Sequence, residues 1–361
     1  MGHPEQPGQR GRDMIVIGAS SGGVEALLFL VERLPRDLPA AIGIVLHTSP
    51  DAPGMLARVL GRRSTLPVHA ATDGAPIVAG RIYVAPPDHH LLVEPGRLRF
   101  SRGPRENRSR PAVDPLFRSA ALVYGPRAIG VILTGSLDDG TAGLAAIKER
   151  GGMAIVQDPA EALFPGMPGS ARRHVAVDHV LPLPEMIPIL DQLTREPIEV
   201  AQAVEAAQAA EPTLLRLEDR YARGGAIDMR ELNEVGKSTA LTCPECHGPL
   251  WEIESSSLLR FRCRTGHAFS AETMLSGQSE ALEDALWMAV NTLEESAPVA
   301  ERLAGNSEQR QQHHIAARFI EKARESRQRA AVIREVIESA QAAATIDLDG
   351  FADEATPLRA D

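Results

Sequence analysis

The sequence predicts an α/β fold. A doubly wound, mostly parallel sheet carries helices on both faces, and a small cysteine-bearing module and a helical hairpin follow it. Three observations predict this. Between residues 13 and 190, short apolar runs alternate with amphipathic stretches. Runs that are apolar throughout, rather than at every second residue, belong to parallel strands covered on both faces. All three cysteines, Cys243, Cys246 and Cys263, fall in one short window. Beyond them, two long stretches repeat apolar residues at helical spacing.

In chain order, residues 1–12 are polar and rich in Gly and Pro, which suits a disordered tail. They lack the apolar centre of a signal peptide, and Arg10 and Arg12 are not adjacent as a twin-arginine signal needs. The catalytic-type domain is expected over 13–196. MIVIGAS (14–20) is a β-branched strand run, and the next helix, 23–34, stops at Pro35. AIGIVLH (41–47) is a second strand, 55–62 a helix and RIYVAP (81–86) a strand. HLLVEPGRLRF (90–100) alternates around Pro95-Gly96 and predicts a hairpin added to the sheet. A helix at 114–124, a strand at 127–135, a helix at 141–151 and a strand at 153–158 follow. The prolines of LPLPEMIPIL (181–190) end the pattern.

Residues 197–240 turn to Ala, Glu and Gln, which predicts a mobile helical linker. Residues 241–275 hold the cysteines, and 276–345 read as the hairpin. Leu282, Leu286, Ala289 and Leu293 share one helical face, as do Ile315, Phe319, Ala323, Ala330, Ile333 and Ile337. Pro298 and Gly305 are expected in the connection. Residues 346–361 form an acidic tail.

Composition excludes several function classes. Of 361 residues, 43% are hydrophobic and 24% charged, so the chain is globular rather than disordered. The net charge of -10, without a dense Lys/Arg stripe, argues against binding nucleic acid or an anionic membrane surface. No apolar run reaches the ~18 residues of a membrane span. The expected location is cytoplasmic.

The chemistry concentrates where strands end. Gly18-Ala19-Ser20-Ser21-Gly22 has the spacing of a nucleophile elbow, in which small residues allow a sharp turn that lifts the serine hydroxyl. A dinucleotide fingerprint needs Gly where Ser20 stands, and a phosphate loop needs a Gly-Lys-Ser/Thr ending that is absent. A purely structural tight turn stays open. His47 follows the second strand, and Asp138-Asp139-Gly140 follows GVILTGS. Open α/β sheets gather their sites at these carboxyl edges. A Ser, a His and an Asp brought together there make an acyl-transfer triad. His69, His89, His90, His174 and His179 compete with His47, and either aspartate is equally the cap of the next helix.

VIGASSGG, His47, RPAVDPLFRSAA (110–121), ILTGSLDDGTAGL (132–144) and QDPAEALFPGMPGSA (157–171) closely resemble the catalytic domain of the chemotaxis protein-glutamate methylesterases. The resemblance covers about 14–190. It implies Ser20 as nucleophile, His47 as general base and Asp139, which directly precedes the glycine, as the residue orienting His47. It implies oxyanion or substrate contacts at Ser21, Gly22 and Ser136. It also implies hydrolysis of glutamate methyl esters on receptor helices, with deamidation of certain glutamines. Two departures stand out. Ser21 replaces the family's usual Thr, and Ser136-Leu137-Asp138 replaces Met-Gly-Asn, which sets a second charge beside Asp139. About a dozen residues precede the first strand, so the stand-alone form without a receiver domain is expected.

Cys243-Pro-Glu-Cys246 and Cys263-Arg-Thr-Gly-His267 pair as CxxC…CxxxH, which predicts a closed structural zinc site, with His247 the runner-up ligand. No catalytic cofactor is expected. Trp251, Phe261 and Phe269 are expected beside the site. The stretch CPECHGPLW…LRFRCRTGHAFS is similar to a C-terminal extension of some stand-alone methylesterases. The leading expectation is a serine-type methylesterase, with glutaminase as a side activity, acting on methyl-accepting chemotaxis receptors or related sensory proteins, with the hairpin as a docking or homodimer surface. A non-catalytic adaptor that binds receptor helices is the alternative. A small-molecule carboxylesterase is a third reading; the cluster of Arg102, Arg105, Arg108 and Arg110 suits an acidic protein partner better, or is a solvated loop.

Overall fold

The computed structural model describes residues 9–199, 213–253 and 258–350. The chain separates into two compact units, Met1–Leu275 and Ser276–Asp361. Within the first, the strands are β1 (Gln9–Arg10), β2 (Met14–Ala19), β3 (Ala41–Leu46), β4 (Val68–Ala70), β5 (Ile82–Val84), β6 (His90–Glu94), β7 (Arg97–Ser101), β8 (Ala128–Ile132), β9 (Met153–Gln157), β10 (His179–Leu181) and β11 (Ile198–Glu199). Among the described residues, seven of them form one sheet in the order β10-β9-β8-β2-β3-β5-β4. Every pairing in it is parallel. β1 pairs antiparallel with β11.

The helices around this sheet are α1 (Gly23–Val31), α2 (Leu56–Gly61), α3 (Val113–Tyr124), α4 (Thr141–Glu149), α5 (Gly166–His174) and α6 (Leu183–Arg195). Alternate strand residues face opposite layers. Ile15, Ile17, Ile42 and Ile44 pack with Leu27 and Leu30 of α1 and with Leu190 of α6. Met14, Val16 and Val45 pack with Leu116 and Phe117 of α3 and Leu144 of α4. The doubly wound arrangement follows directly from strands that are apolar on both faces.

Two expectations are corrected here, and two elements were not foreseen. The hairpin β6–β7 is a sheet of its own rather than an addition to the large one. Leu91, Val93 and Leu98 anchor it by packing on the α3 layer. LPLPEMIPIL does not end the pattern, because it supplies β10 and α6. Pro184 occupies the first turn of α6, where its missing N–H costs nothing, and buried Met186, Leu190 and Leu193 hold the helix across Pro188. The strand β4 and helix α5 carry weak sequence signals; α5 contains Pro168 and Gly169 and is held by buried Met167 and Ala171.

The stretch 197–240 differs most from a linker. Residues 200–212 lie outside the described residues. The remainder forms β11, α7 (Thr213–Ala222), α8 (Met229–Val235) and the first residues of β12 (Gly236–Thr242). Leu217, Tyr221, Leu232 and Val235 form a cluster with Trp251 and Ile253. Trp251 therefore packs on these helices, while Phe261 and Phe269 lie with Cys243 and Cys263. β12 starts an antiparallel sheet with β13 (Pro249–Ile253), β14 (Arg260–Cys263) and β15 (Ala268–Ser270).

A buried ion cluster joins this module to the large sheet. Arg118 of α3 forks onto Glu106 at 2.6 and 2.7 Å. Arg262 of β14 reaches Glu218 of α7 at 3.0 Å and Glu106 at 3.4 Å. Arg260 donates to both Glu218 oxygens at 3.0 and 3.2 Å. Burial alone would raise the Glu218 carboxyl; the Arg260, Arg118 and Arg262 guanidiniums outweigh it and hold it well below the usual range.

The second unit is an antiparallel helical hairpin, α9 (Ala271–Gln309, entering this unit at Ser276) and α10 (His313–Gly350). Pro298 and Gly305 lie inside α9 rather than in the connection, which spans 310–312. Leu286, Val290, Leu293, Ala330, Ile333 and Ile337 fill the seam. Leu282 and Ile315, expected there, are exposed. Residues 351–361 lie outside the described residues. No helix among the described residues is long and apolar enough to cross a membrane.

Removing one partner of a buried ion pair leaves an uncompensated charge, typically at a cost of about 3–5 kcal/mol. Glu218→Ala should lower the stability of the first unit by about that amount, read from the urea midpoint. A change below about 1 kcal/mol would show that residues 213–222 are not part of its core.

Candidate active site

Ser20 leaves the carboxyl end of β2, and its backbone N–H donates to Thr134 O at 3.0 Å, tying the end of β2 to that of β8. The chain then turns through Gly22, whose φ of 72° suits glycine, into α1. The N-terminus of α1 thus faces the serine and favours negative charge there. His47 leaves β3, and its N–H donates to Ala19 O at 3.2 Å. His47 Nδ1 lies 3.1 Å from Ser20 Oγ, and His47 Nε2 lies 2.6 Å from Asp139 Oδ2. With Nε2–H donating to the carboxylate, Nδ1 is the acceptor for the serine hydroxyl. The contributing strands β8, β2 and β3 are neighbours, and chain order reverses between β8 and β2. Ligand crevices of open α/β sheets open at such switch points.

Asp139 is buried and its oxygens are fully engaged. Oδ2 accepts from Val113 N–H at 2.7 Å as well as from His47. Oδ1 accepts from Asn107 Nδ2 at 2.9 Å, Gly140 N–H at 2.9 Å and Asp114 N–H at 3.3 Å. Burial would raise this carboxyl, but the bond and charge of His47, with Val113 N–H and Asn107, bring it down to about 2. Asp114 goes the other way. Burial, and then the charge of Asp139, push it up to about 8. It accepts from Gly143 N–H at 2.6 Å and Asn107 Nδ2 at 3.1 Å.

Asp138 turns away from the triad. Its Oδ1 accepts from Ser270 Oγ at 2.6 Å and Thr273 Oγ1 at 3.0 Å. Its carboxyl is raised to about 6 chiefly by burial, and the charge of Asp139 is a small contribution. Ser136 Oγ stands 3.4 Å from Ser21 Oγ, so the structure brings those two beside Gly22 at the turn after Ser20. Leu137, Leu163 and Phe164 form an exposed apolar rim there. Phe164 is tied in by bonds to Gly135 N–H and Thr134 Oγ1.

Two of the competing histidines, His89 and His90, have other partners. His90 is buried, donates to Pro104 O at 2.9 Å and accepts from Ala112 N–H at 3.3 Å. His89 contacts Pro87 O. The arginine cluster is largely satisfied within the chain: Arg110 and Arg102 bind Asp88, and Arg105 lies 3.6 Å from Glu245. The residues that sequence reading missed are Asn107 and Asp114. Asn107 sits in an arginine-rich stretch, and its one signal is its type: asparagine tolerates the left-handed φ of 47° found there. Asp114 looks like a helix-start acid, and its burial has no local signal.

Cys243, Cys246, Cys263 and His267 place their ligand atoms within 4.8 Å of one another. Cys246 Sγ and Cys263 Sγ are 3.7 Å apart, and His267 Nδ1 is 3.5 and 3.7 Å from Cys263 and Cys243 Sγ. A tetrahedral ion with bonds of about 2.3 Å to sulfur spaces its ligands about 3.8 Å apart, so this quartet fits such an ion. His247 is outside the quartet.

The raised Asp114 carboxyl gives a pH-dependent expectation. Unfolded, it ionises near 3.8; folded, near 8. Between those values the folded state holds the extra proton, so this contribution to stability falls as pH rises and is fully lost above about 8. Asp114→Asn lacks that slope. Its thermal midpoint relative to the native chain should climb from about pH 5 to about pH 9. A constant offset across that range would show that Asp114 is ionised throughout.

The family model described as CheB methylesterase matches residues 15–190. A Leptospira interrogans protein, provisionally described as a protein-glutamate methylesterase/protein-glutamine glutaminase, is 40% identical over 188 residues, covering 52% of this chain and 97% of that protein. The protein-glutamate methylesterase/protein-glutamine glutaminase 2 of Anaeromyxobacter dehalogenans is 43% identical over 183 residues, 51% of this chain and 54% of that protein. The chain thus spans about half the length of that relative. The crystallised catalytic domain of the Thermotoga maritima CheB methylesterase is 36% identical, covering 50% of this chain and 98% of that domain, with a TM-score of 0.48. Because the Leptospira relative is matched over nearly its whole length at 40% identity, the chain belongs to the CheB methylesterase family of hydrolases.

Proposed function

We propose that this chain is a serine-type protein-glutamate methylesterase and protein-glutamine glutaminase acting on methyl-accepting chemotaxis receptors. The observation that carries the reading is the bonded series Ser20–His47–Asp139, at 3.1 and 2.6 Å, at the switch point of the sheet. Ser20 Oγ attacks the side-chain carbonyl of a methylated glutamate while its proton passes to His47 Nδ1. Asp139 stabilises the imidazolium and fixes its tautomer. The oxyanion meets backbone N–H groups around Ser21, Gly22 and Ser136 and the N-terminal end of α1. Collapse expels methanol, protonated by His47, and leaves an acyl-serine. Water, deprotonated by His47, then releases the glutamate carboxylate. A glutamine follows the same path and releases ammonia.

The exposed rim of Leu137, Leu163 and Phe164 supports a helical protein substrate lying across the crevice over a small ester in a closed pocket. The quartet Cys243, Cys246, Cys263 and His267 holds a structural zinc; with four protein ligands no position is left for a reacting water. Its reduced thiols fit a cytoplasmic chain. Exposed Met288, Val299, Ile320 and Val332 on the hairpin support self-association through that unit.

Methanol release from methylated receptor membranes tests the activity. Ser20→Ala and His47→Ala should each slow it by roughly 10⁴–10⁶ with the fold intact. Asp139→Asn should be severe and Asp138→Asn mild, because an amide oxygen can still accept from Ser270 and Thr273. Native rates in Ser20→Ala, or the opposite ranking of the aspartates, would sink the assignment. One zinc per chain should copurify, and Cys263→Ser should lose it and unfold the module. Elemental analysis finding no zinc in protein prepared without chelator would rule the metal out.

A further inference from the structure

The ligand residue His267 is followed directly by β15, and β15 is paired with the loop that carries Asn107. Asn107 N–H donates to Ala268 O at 2.8 Å, and Ala268 N–H donates to Arg105 O at 3.3 Å. Between these, Glu106 is clamped by Arg118 and Arg262. The Asn107 side chain then spends every polar group it has. Its two Nδ2 hydrogens go to Asp139 Oδ1 at 2.9 Å and Asp114 Oδ2 at 3.1 Å. Its Oδ1 accepts from Ser270 N–H at 3.1 Å. That last bond sets the orientation of the amide. Turned over, the amide would aim its carbonyl oxygen at two carboxylates and its NH₂ at a backbone donor.

We propose that the cysteine–histidine module holds the triad's aspartate in place through Asn107, so that Asn107 is a positioning residue and the module a working part of the esterase. The inference rests on the triad reading above. Asp139 must present Oδ2 to His47 while Oδ1 is held from behind. Asn107 shares that hold with the Gly140 and Asp114 N–H groups and is the side-chain donor standing between Asp139 and Asp114. Without it the two buried carboxyls lose the donor they share, and Asp139 keeps only its backbone bonds to set it against His47. The second tie runs beside the first, from Ser270 and Thr273 to Asp138, the residue before Asp139.

The φ of 47° at Asn107 makes Asn107→Gly the clean variant, since glycine keeps the backbone conformation and the N–H bond to Ala268 while deleting the amide. Steady-state hydrolysis of p-nitrophenyl acetate by the full chain is the assay. Asn107→Gly should lose kcat on the order of 10–100-fold with KM unchanged. It should lose nothing further when combined with Asp139→Asn, because the two act as one unit. The module's part is read by hydrogen exchange across 104–109 in His267→Ala: protection should be lost and kcat should fall to the Asn107→Gly level. A native kcat in Asn107→Gly, or a full additive loss on top of Asp139→Asn, would overturn the proposal. So would native protection and native kcat in His267→Ala. If His267→Ala fails to fold, the Asn107→Gly arms still decide. Hydrolysis that survives Ser20→Ala would remove the triad reading and this inference with it. A dead Ser20→Ala beside a fully active Asn107→Gly would remove this inference alone.

Discussion

Two carboxylates and three guanidiniums share one dry volume at the join between the sheet and the cysteine module. Glu106, Glu218, Arg118, Arg260 and Arg262 come from a loop, two helices and a strand. None of these ions is tolerable alone in such a place, so each element must arrive for the others to be stable. The constraint makes residues 213–275 part of the same body as the sheet. It also holds the loop that carries Asn107 at a fixed distance from Asp139. The site geometry therefore depends on charges that take no part in the chemistry.

The triad shows the same economy of placement. Three adjacent parallel strands release Ser20, His47 and the segment leading to Asp139 at one edge. The environment then splits two neighbouring acids. Asp139, with backbone N–H groups and His47 against it, stays ionised and serves the imidazole. Asp114, buried without an equal share of donors, keeps its proton in the neutral range. One ionised and one neutral carboxyl can stand close together where two charges could not.

What was legible in the sequence is what local pattern controls. Apolar runs of five or six residues gave away β2, β3, β8 and β9, and small residues after β2 marked the turn at Ser20. The cysteine spacing marked the ligand quartet, since two short paired sets need little tertiary information. What escaped depended on distant partners. Residues 197–240 look polar because Glu218 and Arg220 are charged, yet Glu218 is buried by arginines more than forty positions away. α6 looked broken by proline because the buried face that stabilises it cannot be seen from Pro188. Asp138 looked like an electrostatic intruder beside Asp139, and its actual partners are Ser270 and Thr273. Asn107 was one polar residue among arginines, and its two carboxylate neighbours distinguish it.

The bond between Ser270 and Asn107 closes a sequence separation of 163 residues. The strands that carry Ser20 and His47 pair with each other and with β8, all within the first half of the chain. The seat behind Asp139 cannot be completed until β15 has been made and delivered. Loop closure of that length is slow compared with local pairing. A chain cut short before β15 thus lacks the backbone donor that fixes the Asn107 amide behind Asp139. The seat of the aspartate is in this sense supplied by the far end of the first unit, a stretch that contributes neither Ser20 nor His47.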